Sequence, residues 1–354
     1  KFLYELLSTP SPTGFEAPGQ RKWKDYVSPF AQNTESDNYG NVWATINGSN
    51  DDAPTIMLEA HADEIGYMVK YVTSEGFLHI DLIGGSDSAT GRGRRIDIFG
   101  DKGPVRGVIG NTAIHLRRDS AGTEKSPRVH ELYVDIGASS PKEVAAMGVR
   151  VGSPAVYSDA AEPLGKDLIV GRALDNRVGG FIIAEVIRKL SEGKQKPAAT
   201  IIAVNAVQEE IGGYGAKMMA HRLSPDAAVV LDVTHATDTP TISKEIHGEV
   251  KLGGGPTVTH GAANHPELIN RLVDVAKKKK IKIQHEAAGR YTGTDTDQIY
   301  HINEGIPSGL VSLPLRYMHS VIETAHFADI SKTIDLLCAF ALSVKPDDNF
   351  TVKI

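Results

Sequence analysis

Apolar residues along the chain follow two periodicities, and these alternate over residues 1–66 and again over 162–354. Short continuous apolar runs, the kind that become buried strands, occupy residues 55–60, 201–209, 227–232 and 309–315. Between them lie stretches whose apolar residues recur every three to four positions. One runs from Leu174 to Leu190 through Val178, Phe181, Ile182 and Val186, and others cover about 216–223, 266–279 and 330–344. Strands alternating with helices predict an α/β sheet carrying helices on both faces. Over 67–161 the pattern changes to short runs at 77–83, 95–99, 105–109 and 132–136, set between glycine-rich turns, with one helix near 141–147. That is the pattern of a small β-rich domain inserted in a larger one. The expected division is therefore 1–66 and 162–354 for the α/β domain and 67–161 for the insert, within what 354 residues can bury as two domains.

Polar residues interrupt this pattern where the runs end. The most informative are Glu209 and Glu210, adjacent acids closing the run Ile201-Ile202-Ala203-Val204-Asn205-Ala206-Val207-Gln208 and leading into Ile211-Gly212-Gly213. Two ionised carboxylates so close repel, and the remedies are a shared proton, an arginine or a divalent cation. His61 and Asp63 follow the run at 55–60, Asp175 opens the helical stretch, Asp232 follows Val229-Val230-Leu231, and His319 follows the run at 309–315. In an open α/β sheet, strand C-termini converge on one crevice, which gives the set a common address.

Singly, each residue has an ordinary alternative. His61-Ala62-Asp63 is also a surface-loop pattern, Asp175 a helix N-cap, Asp232 a turn residue and His319 an interior histidine bonded to backbone. Together, His61, Asp175, Glu210, Asp232 and His319 form an oxygen and nitrogen ligand set without sulfur, suited to Zn²⁺, Co²⁺ or Mn²⁺. Three carboxylates and a hydroxide balance two divalent ions. Glu209 is then left over as a general base, and Asp63, two residues from His61, can reach the imidazole nitrogen turned away from the metal.

Composition narrows the partners. A formal net charge of −6 offers no general field for nucleic acid or an anionic membrane. Cys338, the single cysteine, lies in an apolar helical stretch, so disulfide frameworks and thiolate metal sites are excluded. The segment before Pro10 and Pro12 is too short and too charged for a secretory signal, and no apolar stretch is long enough to span a bilayer. The expected location is the cytoplasm.

The motifs His61-Ala62-Asp63-Glu64-Ile65-Gly66, Arg172-Ala173-Leu174-Asp175-Asn176-Arg177, Val207-Gln208-Glu209-Glu210-Ile211-Gly212, Leu231-Asp232-Val233-Thr234, Lys251-Leu252-Gly253-Gly254-Gly255-Pro256, Gly293-Thr294-Asp295 and Leu315-Arg316-Tyr317-Met318-His319-Ser320 stand in one order along nearly the whole chain. In that order the chain resembles the M42 metallo-aminopeptidases, relatives of the glutamyl and tetrahedral aminopeptidases. The resemblance implies a phosphopeptidase-like mixed sheet with an inserted β-rich dimerisation domain, and two divalent ions per subunit, Zn or Co. Asp175 would bridge them, one held further by His61 and Asp232, the other by Glu210 and His319. It also implies Glu209 as general base, Asp63 orienting His61, a cis Asp175–Asn176 peptide bond, peptide substrates, and a homo-oligomer in the form of a dimer-based dodecamer. Ser86 departs from the family, which often has tryptophan there, as does Val321-Ile322 after Ser320, where a proline is common.

Two rival functions are a glycoside hydrolase using Glu209 in a carboxylate pair, and a non-catalytic binding protein on the same fold. Only Trp23 and Trp43 are available to stack on sugars, and no ligand or base is missing. Lys244, Lys251 and Arg290 either line a pocket for acidic side chains or are ordinary surface cations.

Overall fold

The computed structural model describes residues 1–116 and 126–354. In the first part of the chain, β1 (Asn33–Ser36), β2 (Val42–Ile46) and β3 (Thr55–His61) precede six strands: β4 (Gly66–Val72), β5 (Leu78–Ile83), β6 (Arg95–Gly100), β7 (Gly103–Ile109), β8 (Tyr133–Asp135) and β9 (Pro154–Tyr157). After them come β10 (Glu162–Leu164), β11 (Leu168–Gly171), β12 (Thr200–Ala206), β13 (Ala227–His235), β14 (Thr257–Gly261), β15 (Gln284–Ala288), β16 (Ser308–Leu315) and β17 (Glu323–His326).

An eight-stranded mixed sheet, ordered β1-β2-β12-β3-β13-β16-β14-β15, forms the larger part of the molecule. Its centre, β12-β3-β13-β16, is parallel, and these strands are apolar on both faces because helices cover both. Successive side chains along β3 go to opposite faces. Ile56 and Leu58 belong to the core shared with the helices Leu174–Glu192, Pro266–Lys279 and Phe327–Ser343, whereas Met57 belongs to the one shared with Ala216, Met219 and Ala220 of the helix Tyr214–Leu223. The helix Pro266–Lys279 shows how the sequence marks such an element. Proline opens it, Glu267 lies in its first turn, Lys277, Lys278 and Lys279 fill the last, and Leu268, Ile269, Leu272, Val275 and Ala276 form the buried stripe.

Strands β4 to β9 close into a barrel ordered β4-β5-β8-β7-β6-β9, with a core of its own built on Tyr67, Leu78, Ile80, Ile96, Ile98 and Val134. Ser86, at the family's frequent tryptophan position, is buried, and its hydroxyl donates to the Gly66 carbonyl. A three-stranded sheet, β10-β11-β17, completes the fold.

Two expected strand ends are displaced. The run predicted to continue to Glu209 stops as β12 at Ala206, because Val207 turns its N–H to the Asn41 side chain and Gln208 takes a left-handed φ of 64°. The strand predicted to end at Asp232 runs on as β13 to His235, paired with β16 throughout. Among the described residues no helix is long and apolar enough to cross a membrane.

Candidate metal centre

Four segments deliver the site to the C-terminal edge of the parallel strands, and a fifth enters after β11. His61 is the last residue of β3, Asp232 lies within β13, Glu209 and Glu210 follow β12, and His319 follows β16. Asp175 comes four residues after β11, at the start of the helix Leu174–Glu192. Asp175 and Asn176 lack helical backbone angles and the peptide bond between them is cis, so the regular helix begins beyond them. Capping falls to Asn176 and not to Asp175: its side-chain oxygen accepts from Gly179 N–H at 3.0 Å, while its amide donates to the Leu231 carbonyl at 2.7 Å. Asp175 is thereby left free for the crevice.

The two carboxylate oxygens of Asp175 face two different imidazoles. Oδ1 lies 3.2 Å from His61 Nε2, and Oδ2 lies 3.4 Å from His319 Nε2. Asp232 Oδ1 and Glu209 Oε2 are each 3.8 Å from the same His61 nitrogen, and Glu210 Oε2 is 3.6 Å from His319 Nε2. Three sets of ligand atoms come close enough to enclose an ion: His61 with Asp175 and Asp232, Asp175 with Glu210 and His319, and His61 with Glu209 and Glu210. The first two share Asp175. All five sequence-predicted ligand candidates and Glu209 therefore meet in one place.

The outer atoms of these side chains are fixed in turn. Asp63 Oδ1 lies 3.3 Å from His61 Nδ1, the nitrogen facing away from the cluster. The same carboxylate accepts from the Glu209 and Glu210 backbone N–H groups at 3.0 and 3.1 Å and from the Thr13 hydroxyl at 2.8 Å. One buried side chain thus ties the turn after β12 to the end of β3. Glu323 does the equivalent elsewhere, Oε2 accepting from Asp175 N–H at 3.1 Å and Oε1 from His319 N–H at 2.9 Å. His319 Nδ1 lies 3.0 Å from the Gly85 carbonyl, two residues after β5. The chain there must be glycine: a Cβ on Gly85 would lie 2.7 Å from the His319 ring, and one on Gly84 3.1 Å from Glu210 Oε2. Ala173, Gln208 and His319 all adopt left-handed backbone angles, a concentration of strained residues found at functional sites.

The electrostatics call for added positive charge. Burial, then the neighbouring carboxylates, push Glu210 and Asp232 far above the usual carboxylate range, and Glu209 goes up to about 8 by burial, only partly offset by His61. Asp175 moves down despite burial because two imidazoles face it. Glu210 Oε1 is buried with no hydrogen-bond partner among the described residues. Divalent cations fit this donor set, supplying the missing charge to oxygen and imidazole ligands without a thiolate.

Two acids around the site, Glu323 and Glu59, escaped the sequence reading, and a third, Asp295, appeared there only as the end of the motif Gly293-Thr294-Asp295. Glu323 had no signal, since its role depends on two strands meeting. Glu59, a charge inside the apolar run at 55–60, was detectable. It lies against Asp295, both fully buried, and burial raises Glu59 to about 8 and Asp295 well above its ordinary range. The three surface cations resolve differently. Lys244 and Lys251 each lie 2.8 Å from the exposed Glu249, and the Arg290 guanidinium lies over the Tyr291 ring, so none lines the crevice.

A buried histidine and carboxylate cluster at the strand ends of an α/β sheet is the arrangement of a metal-dependent hydrolase. The chain belongs to the M42 glutamyl aminopeptidase family, whose family model matches residues 40–336. It is 33% identical to the lysyl aminopeptidase of Pyrococcus furiosus over 98% of each chain. Among solved structures it is similar to an aminopeptidase from the archaeon Desulfurococcus kamchatkensis, with a TM-score of 0.91, 33% identity and coverage of 98% of this chain and 94% of that one. It is also similar to the Pyrococcus horikoshii TET1 peptidase, described as assembling into a tetrahedron or a large octahedral shell, with a TM-score of 0.84, 28% identity and coverage of 97% and 99%. The chain is accordingly a peptidase, and its fold is that of the TET aminopeptidases.

Proposed function

We propose that the chain is a co-catalytic dinuclear metallo-aminopeptidase that removes N-terminal residues from peptides. The observation that carries this is Asp175, whose two oxygens face two imidazoles, each backed by a further carboxylate. His61, Asp175 and Asp232 would hold one ion, and Asp175, Glu210 and His319 the other. Ions held there would supply acidified water and polarise the scissile carbonyl. Glu209, beside the cluster and buried enough to hold a proton near neutral pH, takes the proton from the attacking water and returns it to the leaving amine. Asp63 keeps the His61 ring oriented and fixes the backbone of Glu209 and Glu210. Elemental analysis should find two divalent ions per chain, with activity lost on chelation and regained with Zn²⁺ or Co²⁺. Full peptidase activity in a metal-stripped sample would refute the proposal. A glycoside hydrolase working by carboxylates alone would survive chelation. Burial of both tryptophans in the core also counts against that reading, because neither offers a sugar platform.

The same reading extends to assembly. The six-stranded barrel has its own core, so it can add contacts to another subunit without disturbing the main sheet. A dimer-based dodecamer, with residues 67–161 as the dimerisation domain, is the proposed state. Light scattering showing only monomer over a wide concentration range would contradict it.

A further inference from the structure

The crevice does not end at the metal cluster. Thr234, His235 and Met318 line both the space above Asp232 and a second cavity of about 560 Å³ beyond it. Thr237, Leu315, Tyr317 and His247 also line the second cavity. Among the described residues, Glu286, on β15, is its one carboxylate, and no lysine or arginine lines it. Glu286 is held in place by the Thr234 hydroxyl, which donates to Oε1 at 2.6 Å. No lysine or arginine among the described residues pairs with it, whereas Lys244 and Lys251 are both occupied by Glu249 outside the cavity.

We infer that this cavity receives the side chain of the substrate's N-terminal residue, and that Glu286 selects a basic side chain, lysine or arginine, in it. The inference rests on the aminopeptidase reading and adds the class of residue removed.

The register of β13 supports it. Asp232 and Thr234 are two residues apart on one strand, so they point to the same face about 6.5 Å apart. A substrate residue whose α-carbon sits by Asp232 must therefore reach about that far to meet a carboxylate anchored on Thr234. The five bonds from Cα to Nζ of an extended lysine span about 6 Å. Leucine, whose side chain reaches two bonds less far from Cα and carries no charge, stops short of Glu286. An acidic side chain would meet it with like charge.

The test compares kcat/KM for lysyl, arginyl, leucyl and glutamyl p-nitroanilides in the metal-loaded protein and in Glu286→Gln and Glu286→Asp, at about pH 8, above the ordinary histidine range. The wild type is expected to prefer lysyl and arginyl substrates. Glu286→Gln should lower the ratio of lysyl to leucyl kcat/KM by about 10- to 100-fold, chiefly through KM, as expected for a lost hydrogen bond to a charged group. Glu286→Asp should fall between the two. Wild-type preference for glutamyl substrate, or an unchanged lysyl-to-leucyl ratio in both variants, would overturn the inference while leaving the aminopeptidase intact. Failure of the wild type to cleave any of the four would overturn both.

Discussion

The two sets of proposed ligands that share Asp175 are built differently. His61 and Asp232 belong to adjacent strands of the parallel sheet, and their side chains are 2% and 7% exposed. Glu210 and His319 come from loops after strands, and the His319 side chain is 32% exposed. The first set takes its geometry from the sheet ladder, which cannot shift without breaking register. The second takes it from side-chain clamps, Asp63 on the Glu210 N–H, Glu323 on the His319 N–H and the Gly85 carbonyl on the His319 ring. The lesson is that one half of the centre is a product of secondary structure and the other of tertiary contacts. The openness of this half is confined to His319, since the Glu210 side chain is only 4% exposed.

Asp175 belongs to both halves, so replacing it has the largest effect. Asp175→Asn removes a shared negative charge, and both ions should be lost together with measurable activity. Elemental analysis retaining one tightly bound ion would show that the halves are independent. Glu209→Gln comes next. It should retain both ions and lose about 10²-fold or more in kcat, the scale of general-base catalysis. If this substitution emptied the centre instead, Glu209 would have to be counted as a ligand, at the same 3.8 Å from His61 Nε2 as Asp232. The difference in burial sets the smallest effect, one of rate. Chelation should proceed in two stages, the ion beside His319 leaving first, and following metal content and activity together would resolve them. A single stage would erase the distinction between the halves.

Much of this centre was legible along the chain. The Glu209-Glu210 pair, His61-x-Asp63, and Asp175, Asp232 and His319 beside the ends of predicted elements picked out the five proposed ligands jointly, because several charges converging on one sheet edge leave a cation as the ready compensation. The alternation of periodicities likewise identified the strands at 55–60 and 309–315 and the helix at 266–279 to within a residue or two of their observed ends. Less visible were the short or half-exposed strands β1, β10 and β15, whose polar residues break any alternation.

What the sequence by itself determined is the chemistry: which side chains are too costly to bury without a cation, and which stretches must be covered on both faces. Those follow from residue type and local period, and need no partner. Tertiary structure alone decided which carboxylate faces which imidazole, that Asn176 and not Asp175 caps the helix, that β12 stops before its acids, and that Glu323 and Asp63 clamp loops far apart in the chain. Glu286, isolated on an edge strand, acquires a candidate role only because the fold brings it to Thr234, 52 positions earlier. Such contacts depend on the packing of distant segments, and a periodicity read along one segment contains no information about the distance to another.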